Sequence, residues 1–321
     1  MSIAADLSLP SGLRESFAWA AIGMVTFPPA KKLASGLRAA GYFADDTTSL
    51  SLALALELGR PLLVEGPAGV GKTDLARASA EALGRPLLRL QCYEGLDDAK
   101  AIYEWDYAKQ MLYVQLLRES VAARVEGAGS LAEAAARLGD VNDVFFGERF
   151  LLARPLLAAL RSDVPVVLLV DEVDRADPEF EAILLEVLAE GQVTIPELGT
   201  IRAKHTPLVI LTTNASRDMT DALRRRCLHL FLDYPAPSRE LEILQAKVPG
   251  ISKTLATQLV EFAEKVRAMD LHKSPSIAES IDWARALVTL GANALDKELA
   301  GATLGAFLKH EEDRERAAAK L

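Results

Sequence analysis

Short, unbroken apolar runs recur along the chain, each followed by a longer stretch with helical periodicity. Pro61 to Glu65, Val166-Val167-Leu168-Leu169-Val170 and Pro207 to Thr212 are such runs. Runs rich in Val, Ile and Leu with no polar alternation predict strands covered on both faces. Pro86 to Gln91 predicts a further strand, and the alternating Leu228, Leu230 and Leu232 a last one. Lys72 to Leu83 has apolar Leu75, Ala78, Ala82 and Leu83 at helical spacing and stops at Gly84. Asp177-Pro178 predicts a helix start, with Asp as the cap and Pro at the first position. Its stripe is Phe180, Ile183, Leu184, Val187 and Leu188, ended by Gly191. Gln192 to Ala203 reads as a hairpin turning at Glu197-Leu198-Gly199.

Other stretches read less sharply. Residues 1–45 form a mostly helical lead-in, and Ser49 to Leu58 a helix before the first strand. Residues 92–115 hold five of the nine Trp and Tyr residues, and Tyr103-Glu104-Trp105-Asp106-Tyr107 has strand period. Helical patterns are expected at Leu131–Leu138 and Glu148–Arg161, and a short helix at Asp218–Leu223. Asp233-Tyr234-Pro235-Ala236-Pro237 reads as a hinge. Four helical patterns follow, at roughly 238–247, 252–269, 276–290 and 296–310. Strands alternating with helices predict a three-layer α/β domain with a mostly parallel sheet, here followed by an all-helical region. The expected division is a lead-in over 1–45, an α/β domain over 46–234 and a helical domain over 238–321.

Composition narrows this picture little. The 321 residues are half apolar and a quarter charged, with a net charge of −9. An acidic balance argues against non-specific nucleic-acid binding, which needs a basic face. Cys92 and Cys227 lie far apart and fit no zinc spacing, so a reducing cytoplasm suits the chain. The four histidines are scattered. The apolar stretch from Phe17 to Ala30 contains two prolines, is too short to span a bilayer and lacks a basic front.

The chemistry concentrates at the ends of the apolar runs. Gly66-Pro67-Ala68-Gly69-Val70-Gly71-Lys72-Thr73 fits G-x-x-x-x-G-K-[ST] at every fixed position. Glycines let successive N–H groups point at phosphate oxygens. Lys72 would reach the β- and γ-phosphates, and the Thr73 hydroxyl would ligate Mg²⁺. With Asp74 these residues form the candidate nucleotide site. A strand before the pattern and a helix after it supply the context the pattern needs. Asp171 and Glu172 close the central strand. Asp171 can hold the Mg²⁺ shell opposite Thr73, and Glu172 can deprotonate an attacking water. Asn214 ends the next strand, where an amide can hold that water or the γ-phosphate. Arg224-Arg225-Arg226 cannot all serve the chain's own nucleotide. One of them would suit a neighbouring subunit's γ-phosphate.

On these residues the chain resembles an AAA+ ATPase of the MoxR family. The carriers are Gly66–Thr73, the stretch Leu168 to Arg175, the 192–203 hairpin, Asn214 and Arg226. Within that family the chain is most similar to the branch associated with maturation of molybdenum hydroxylases such as carbon monoxide dehydrogenase. Cys92 to Asp97, Tyr103-Glu104-Trp105, Arg224 to Leu228 and Pro275 to Glu279 carry that finer likeness. The resemblance implies an AAA+ P-loop NTPase fold with a helical lid, ATP and Mg²⁺ as ligands, and a homo-oligomeric ring, usually a hexamer. It implies a sensor role for Asn214 and an arginine-finger role for Arg226, with Arg225 next in line. It also implies a partner with a von Willebrand A domain and a metalloenzyme client. The aromatic segment 97–114 resembles an insert facing the pore or client, though its rings would equally serve to pack the insert. One departure stands out. Family members often carry an arginine after a Ser-Pro at the start of a lid helix, and here Ser274-Pro275 is followed by Ser276. Lys273 and Arg285 are out of register, so that sensor has no assigned residue.

Three other readings remain open at this point. They are an AAA+ motor on nucleic acid, the ATPase subunit of a metal chelatase, and a P-loop kinase. The last leaves Asn214, the arginines and the helical tail without a joint explanation.

Overall fold

A computed structural model describes residues 28–319, apart from 97, 128, 131–132, 134–147 and 197. Most of the lead-in, the helical pattern at Leu131–Leu138 and the hairpin residue Glu197 therefore lie outside the described residues.

Five parallel strands form the central sheet, in the order β2-β5-β8-β1-β9. They are β1 (Leu62–Glu65), β2 (Leu87–Gln91), β5 (Val167–Asp171), β8 (Leu208–Thr213) and β9 (Leu228–Phe231). Every residue of β5 and β8 is buried, as expected of strands covered on both faces. Alternate positions of these strands feed two separate cores. Leu62, Val64, Val167, Leu169 and Ile210 pack under α1 (Pro28–Ala39), α2 (Asp46–Leu58) and α3 (Lys72–Leu83). Leu63, Leu168, Val170, Val209 and Leu211 pack under α6 (Pro155–Arg161) and α7 (Pro178–Glu190). Leu33 and Leu37 of α1 share the first of these cores, so the described end of the lead-in belongs to the α/β layers. Parallel pairing brings Glu65, Gln91, Asp171 and Thr213 to one edge of the sheet.

Asp177 caps α7 by position only. Its Oδ2 accepts from the N–H of Gly95 at 3.2 Å instead of from the helix.

Three expectations are corrected. The Tyr103–Tyr107 alternation holds only for β3 (Tyr103–Trp105), because the Asp106 side chain accepts from Lys109 N at 2.9 Å and starts α5 (Tyr107–Val125). A short α4 (Asp98–Ile102) precedes β3. Glu148–Arg161 is not one helix. A 3₁₀ turn at Glu148–Phe150 leads into β4 (Leu151–Ala153), which pairs antiparallel with β3, and only then does Pro155 open α6. Proline pushes the preceding Arg154 into extended backbone, which ends the helical reading. The short helix α8 covers Asp221–Arg226, not Asp218–Leu223, since Thr220 caps it. The three arginines therefore form its last turn. The expected hairpin is present as β6 (Gln192–Ile195) and β7 (Gly199–Arg202).

The C-terminal region has five described helices where four were expected: α9 (Pro237–Lys247), α10 (Lys253–Arg267), α11 (Ile277–Thr289), α12 (Lys297–Phe307) and α13 (Glu311–Ala318). The fifth has almost no apolar stripe. It is held through Asp313, which accepts from the His272 and Lys273 amides at 3.1 and 3.4 Å. The fold also stacks His272 on His310, with ring centroids 5.6 Å apart. Residues between Leu244 and Ala317 build their own core around Phe262, Trp283 and Phe307. Among the described residues no helix is long and apolar enough to cross a membrane.

One polar knot ties α9, α10 and α11. Arg267 donates two hydrogen bonds to Glu240, at 2.5 and 2.9 Å, and a third to Pro275 O at 2.8 Å. Ser280 Oγ donates to the same carboxylate at 2.7 Å. Glu240 is 1% exposed, so its charge depends on this guanidinium. Arg267→Ala should therefore cost about 3–5 kcal/mol, the usual penalty for orphaning one partner of a buried pair. Urea unfolding followed by Trp283 fluorescence, with Trp19 and Trp105 replaced by Phe in both proteins compared, reads the loss, and a change below about 1 kcal/mol would contradict the burial argument.

Candidate active site

The site begins where β1 runs into the glycine-rich loop. Gly66 adopts φ +156, and a methyl group there would collide with the Leu232 carbonyl. The loop curls around its own lysine. Lys72 Nζ donates to Gly66 O at 2.7 Å, Pro67 O at 2.8 Å and Asn214 Oδ1 at 2.8 Å. All three ammonium hydrogens are thus used, which a side chain 7% exposed requires. Burial lowers the Lys72 pKa below that of an ordinary lysine, while Asp174, Asp171 and Glu172 pull it back upward.

The carboxylates stand at the tips of the neighbouring strands. Asp171, 2% exposed, accepts from Thr73 Oγ1 at 3.0 and 3.2 Å, from Thr212 Oγ1 at 2.5 Å and from Arg89 at 2.6 Å. Thr212 Oγ1 in turn accepts from the Glu172 amide at 2.9 Å. Glu172 sits at φ 56, a left-handed conformation that costs about 1–2 kcal/mol outside glycine. Its carboxylate meets Gln91 Nε2 at 3.0 Å, Arg175 at 3.2 Å and, more distantly, Asn214 Nδ2 at 3.5 Å. Asp174 fixes the Asn214 turn by accepting from Asn214 N at 3.2 Å and from Ser216 N and Oγ at 2.9 and 2.6 Å. Burial raises the Asp174 pKa, but the hydrogen bonds from Ser216 and Asn214 together outweigh it and hold the group below the usual carboxylate range.

Two cavities adjoin the loop. One of about 280 Å³ is lined by Ala68, Gly69, Lys72, Thr73, Asp171, Glu172 and Asn214 among others. Lys72 is the one cation among its described lining residues. The other, of about 310 Å³, is mostly apolar, with Tyr42, Val70, Pro235 and Ile281 in its wall, and suits a flat ring. It lies between the α/β layers and the lid helices. Gly69, at φ +77, has no room for a side chain against Ser276, and the Ala278 amide donates to Gly69 O at 3.3 Å. The lid therefore meets the loop through small residues. Arg285 lines the apolar cavity but bonds Lys247 O at 3.3 Å, and Lys273 lines neither cavity.

The arginines divide. Arg224 turns back to Glu65, at 3.6 Å. Arg225 and Arg226 are exposed, and no partner of their side chains is found among the described residues. They stay apart from the Lys72 cluster, whereas Lys72, Thr73, Asp171, Glu172 and Asn214 come together.

Sequence reasoning missed Arg89, Gln91, Asp174 and Thr212. The first two are polar residues at the tip of β2, and a ligand site at the carboxyl edge of a parallel sheet was the available signal. An all-oxygen set of hydroxyl and carboxylate at Thr73 and Asp171 fits a hard divalent cation such as Mg²⁺.

The chain is similar to several known proteins. Residues 61–227, just over half of the chain, match the AAA domain family, dynein-related subfamily. Protein NorQ of Paracoccus denitrificans is 26% identical over 81% of this chain and 84% of its own length. The gas vesicle ATPase GvpN of Ancylobacter aquaticus is 28% identical over 72% of this chain and 61% of its own. Chaperone protein ClpB 2 of Thermosynechococcus vestitus is 32% identical over 47% of this chain, which spans only 13% of that protein. A solved RuvB mutant of Thermotoga maritima overlaps loosely, at TM-score 0.47 and 17% identity, over 80% of this chain and 67% of that one.

Cys92 lies directly beneath the carboxylates, with its amide on Asp171 O at 2.9 Å. Burial, then the charges of Asp171, Asp174 and Glu172, push its thiol up to about 12. Burial alone pushes Cys227 up to about 12 against the pull of Arg60. At pH 8 both thiols should react with Ellman's reagent about a thousandfold more slowly in the native protein than in denaturant. Rapid labelling of Cys92 in the native state would show that the floor of the site is open, and rapid labelling of Cys227 that the seam beside Arg60 is open.

Proposed function

The chain belongs to the AAA domain family, dynein-related subfamily, and is an ATPase of the MoxR type, and from that premise we propose that it hydrolyses ATP with Mg²⁺ at sites shared between neighbouring subunits of a ring, and so remodels a client protein. The meeting of Lys72, Thr73, Asp171, Glu172 and Asn214 within one hydrogen-bonded cluster carries this reading.

In this reading the loop from Gly66 to Asp74 receives the triphosphate. Lys72 exchanges its contacts with Gly66 O, Pro67 O and Asn214 for the β- and γ-phosphates. Thr73 and Asp171 would hold Mg²⁺, which neutralises charge on the phosphates. Glu172 accepts the proton of the water that attacks the γ-phosphorus, while the bond to the leaving ADP breaks. Asn214, released by Lys72 and still beside Glu172, orients that water. Arg226, with Arg225 beside it, reaches the nucleotide of the next subunit. Residues 46–234 serve as the nucleotide-binding domain and 238–321 as the lid, with 1–45 leading in.

AAA+ ATPases commonly assemble as rings, and a hexamer of this chain is the assembly proposed. The work delivered is chaperone-like. The words "ATPase" in GvpN's name and "chaperone" in ClpB's support that class. The client is proposed to be a metalloenzyme under maturation, of the molybdenum hydroxylase kind, with a von Willebrand A domain protein as partner and the cytoplasm as the compartment. The net charge of −9 speaks against a nucleic-acid track.

Glu172→Gln should keep ATP affinity within about twofold and lower turnover at least about 100-fold, the range expected on losing a general base. Equilibrium binding of a fluorescent ATP analogue and steady-state phosphate release measure the two. Unchanged turnover removes Glu172 from the water-activating role.

A further inference from the structure

The arginines that face outward sit on a helix with little to hold it. α8 has six residues, and Leu223 is its one buried side chain. Isolated helices of that length do not hold themselves, so external ties fix where its last turn points. Its capping carbonyls have a single common partner. Arg60 donates from Nη2 to Arg225 O at 2.6 Å, from Nε to Arg226 O at 3.2 Å and from Nη2 to Cys227 O at 3.5 Å. A guanidinium at a helix C-terminus meets both the unsatisfied carbonyls and the negative end of the dipole. The fork reaches several carbonyls at once, which a lysine ammonium on a single stem does not do in a fixed geometry.

Arg60 occupies the position just before Pro61 and β1, the strand that runs into Gly66. The other end of β1 also grips α8, because Glu65 takes the Arg224 side chain at 3.6 Å. Leu228 N on Pro61 O, at 2.8 Å, completes the seam. One strand thus carries the phosphate loop at its tip and holds the outward arginines along its side.

We propose that Arg60 is a positioning residue for ATP hydrolysis in the neighbouring subunit: by gripping the carbonyls of Arg225, Arg226 and Cys227 it aims Arg226 across the subunit boundary. This rests on the shared-site reading above. Arg60 lines neither of the cavities at the phosphate loop, so its loss damages what the subunit gives, not what it receives.

Subunit mixing with the full chain and ATP separates the two. Arg60→Ala should bind ATP as the wild type does and assemble normally by size-exclusion chromatography, with kcat lowered about tenfold or more and KM nearly unchanged. Doubly tagged mixed rings of Arg60→Ala with Lys72→Ala should regain activity, because the Lys72→Ala subunit offers an intact arginine helix to an intact phosphate loop. Arg226→Ala mixed with Lys72→Ala is the control. Recovery in both mixtures supports the proposal. Recovery in the control alone overturns the role of Arg60 and leaves the shared site standing. No recovery in the control overturns the shared site and the Arg60 role together. Arg60→Lys, used in the same mixtures should the alanine variant prove unstable, is expected to be intermediate. A full wild-type rate from either Arg60 variant alone would overturn the proposal.

Discussion

A buried ammonium organises this molecule. Lys72 is nearly inaccessible to water, and a lone cation so placed would be costly. Its three hydrogens go to two loop carbonyls and the Asn214 amide oxygen. That arrangement needs Gly66 to adopt its unusual φ, and it needs β8 to lie beside β1 so that Asn214 reaches the loop. It also needs Asp171, Glu172 and Asp174 nearby to offset the charge. The strand order, with β1 and β5 flanking β8, supplies all of these from one sheet edge. The fully apolar strands that make such a sheet stack in register are therefore what the lysine depends on, and the lysine is what keeps the loop curled.

Polar ties spread outward from that edge and make separate parts answer to it. Thr212 ties the Asp171 carboxylate to the Glu172 backbone by donating to Asp171 and accepting from Glu172 N. The lid touches the loop at Gly69, where Ser276 and Ala278 pack closely because they are small. The arginine helix is gripped by residues at both ends of β1. A movement of the loop would thus be felt by the lid and by the arginine helix through directly bonded neighbours, with no long chain of intermediates.

The legible part of the fold was the part governed by a single dominant force. Apolar runs gave β1, β5 and β8 to within a residue or two, because burial on both faces leaves no other composition possible. The glycine-lysine loop, Asp171, Glu172 and Asn214 were legible because their chemistry restricts residue type. Elements set by competition between local signals were not. Asp106 and Pro155 overrode the periodicity around them, which hid β4 and shortened β3. Thr220 moved the start of α8 and so placed the arginines inside a helix. Helix α13 lacks an apolar stripe and is held by Ala317 in the core and by polar ties from Asp313 and Arg316, which no periodicity reports. Arg89 and Gln91 were missed for a related reason: a polar residue at a strand tip has meaning only once its neighbour strand is known.

Charge balance is the physical reason behind the shared-site reading of the cluster around Lys72. A triphosphate brings several negative charges into a cavity that already holds Asp171 and Glu172. Against them stands Lys72, the one cation among the described lining residues. Arg89 is near, but its guanidinium is committed to Asp171 at 2.6 Å. The lid brings Ser276 and Ala278 where a cation would help, and its Arg285 lies along the apolar cavity instead. Developing charge in phosphoryl transfer is stabilised by cations placed before the reaction begins. In the proposed reading a divalent ion on Thr73 and Asp171 would meet part of that requirement. In the shared-site reading the remainder would come from a neighbouring subunit, whose Arg225 and Arg226 are exposed on a helix with a pinned backbone.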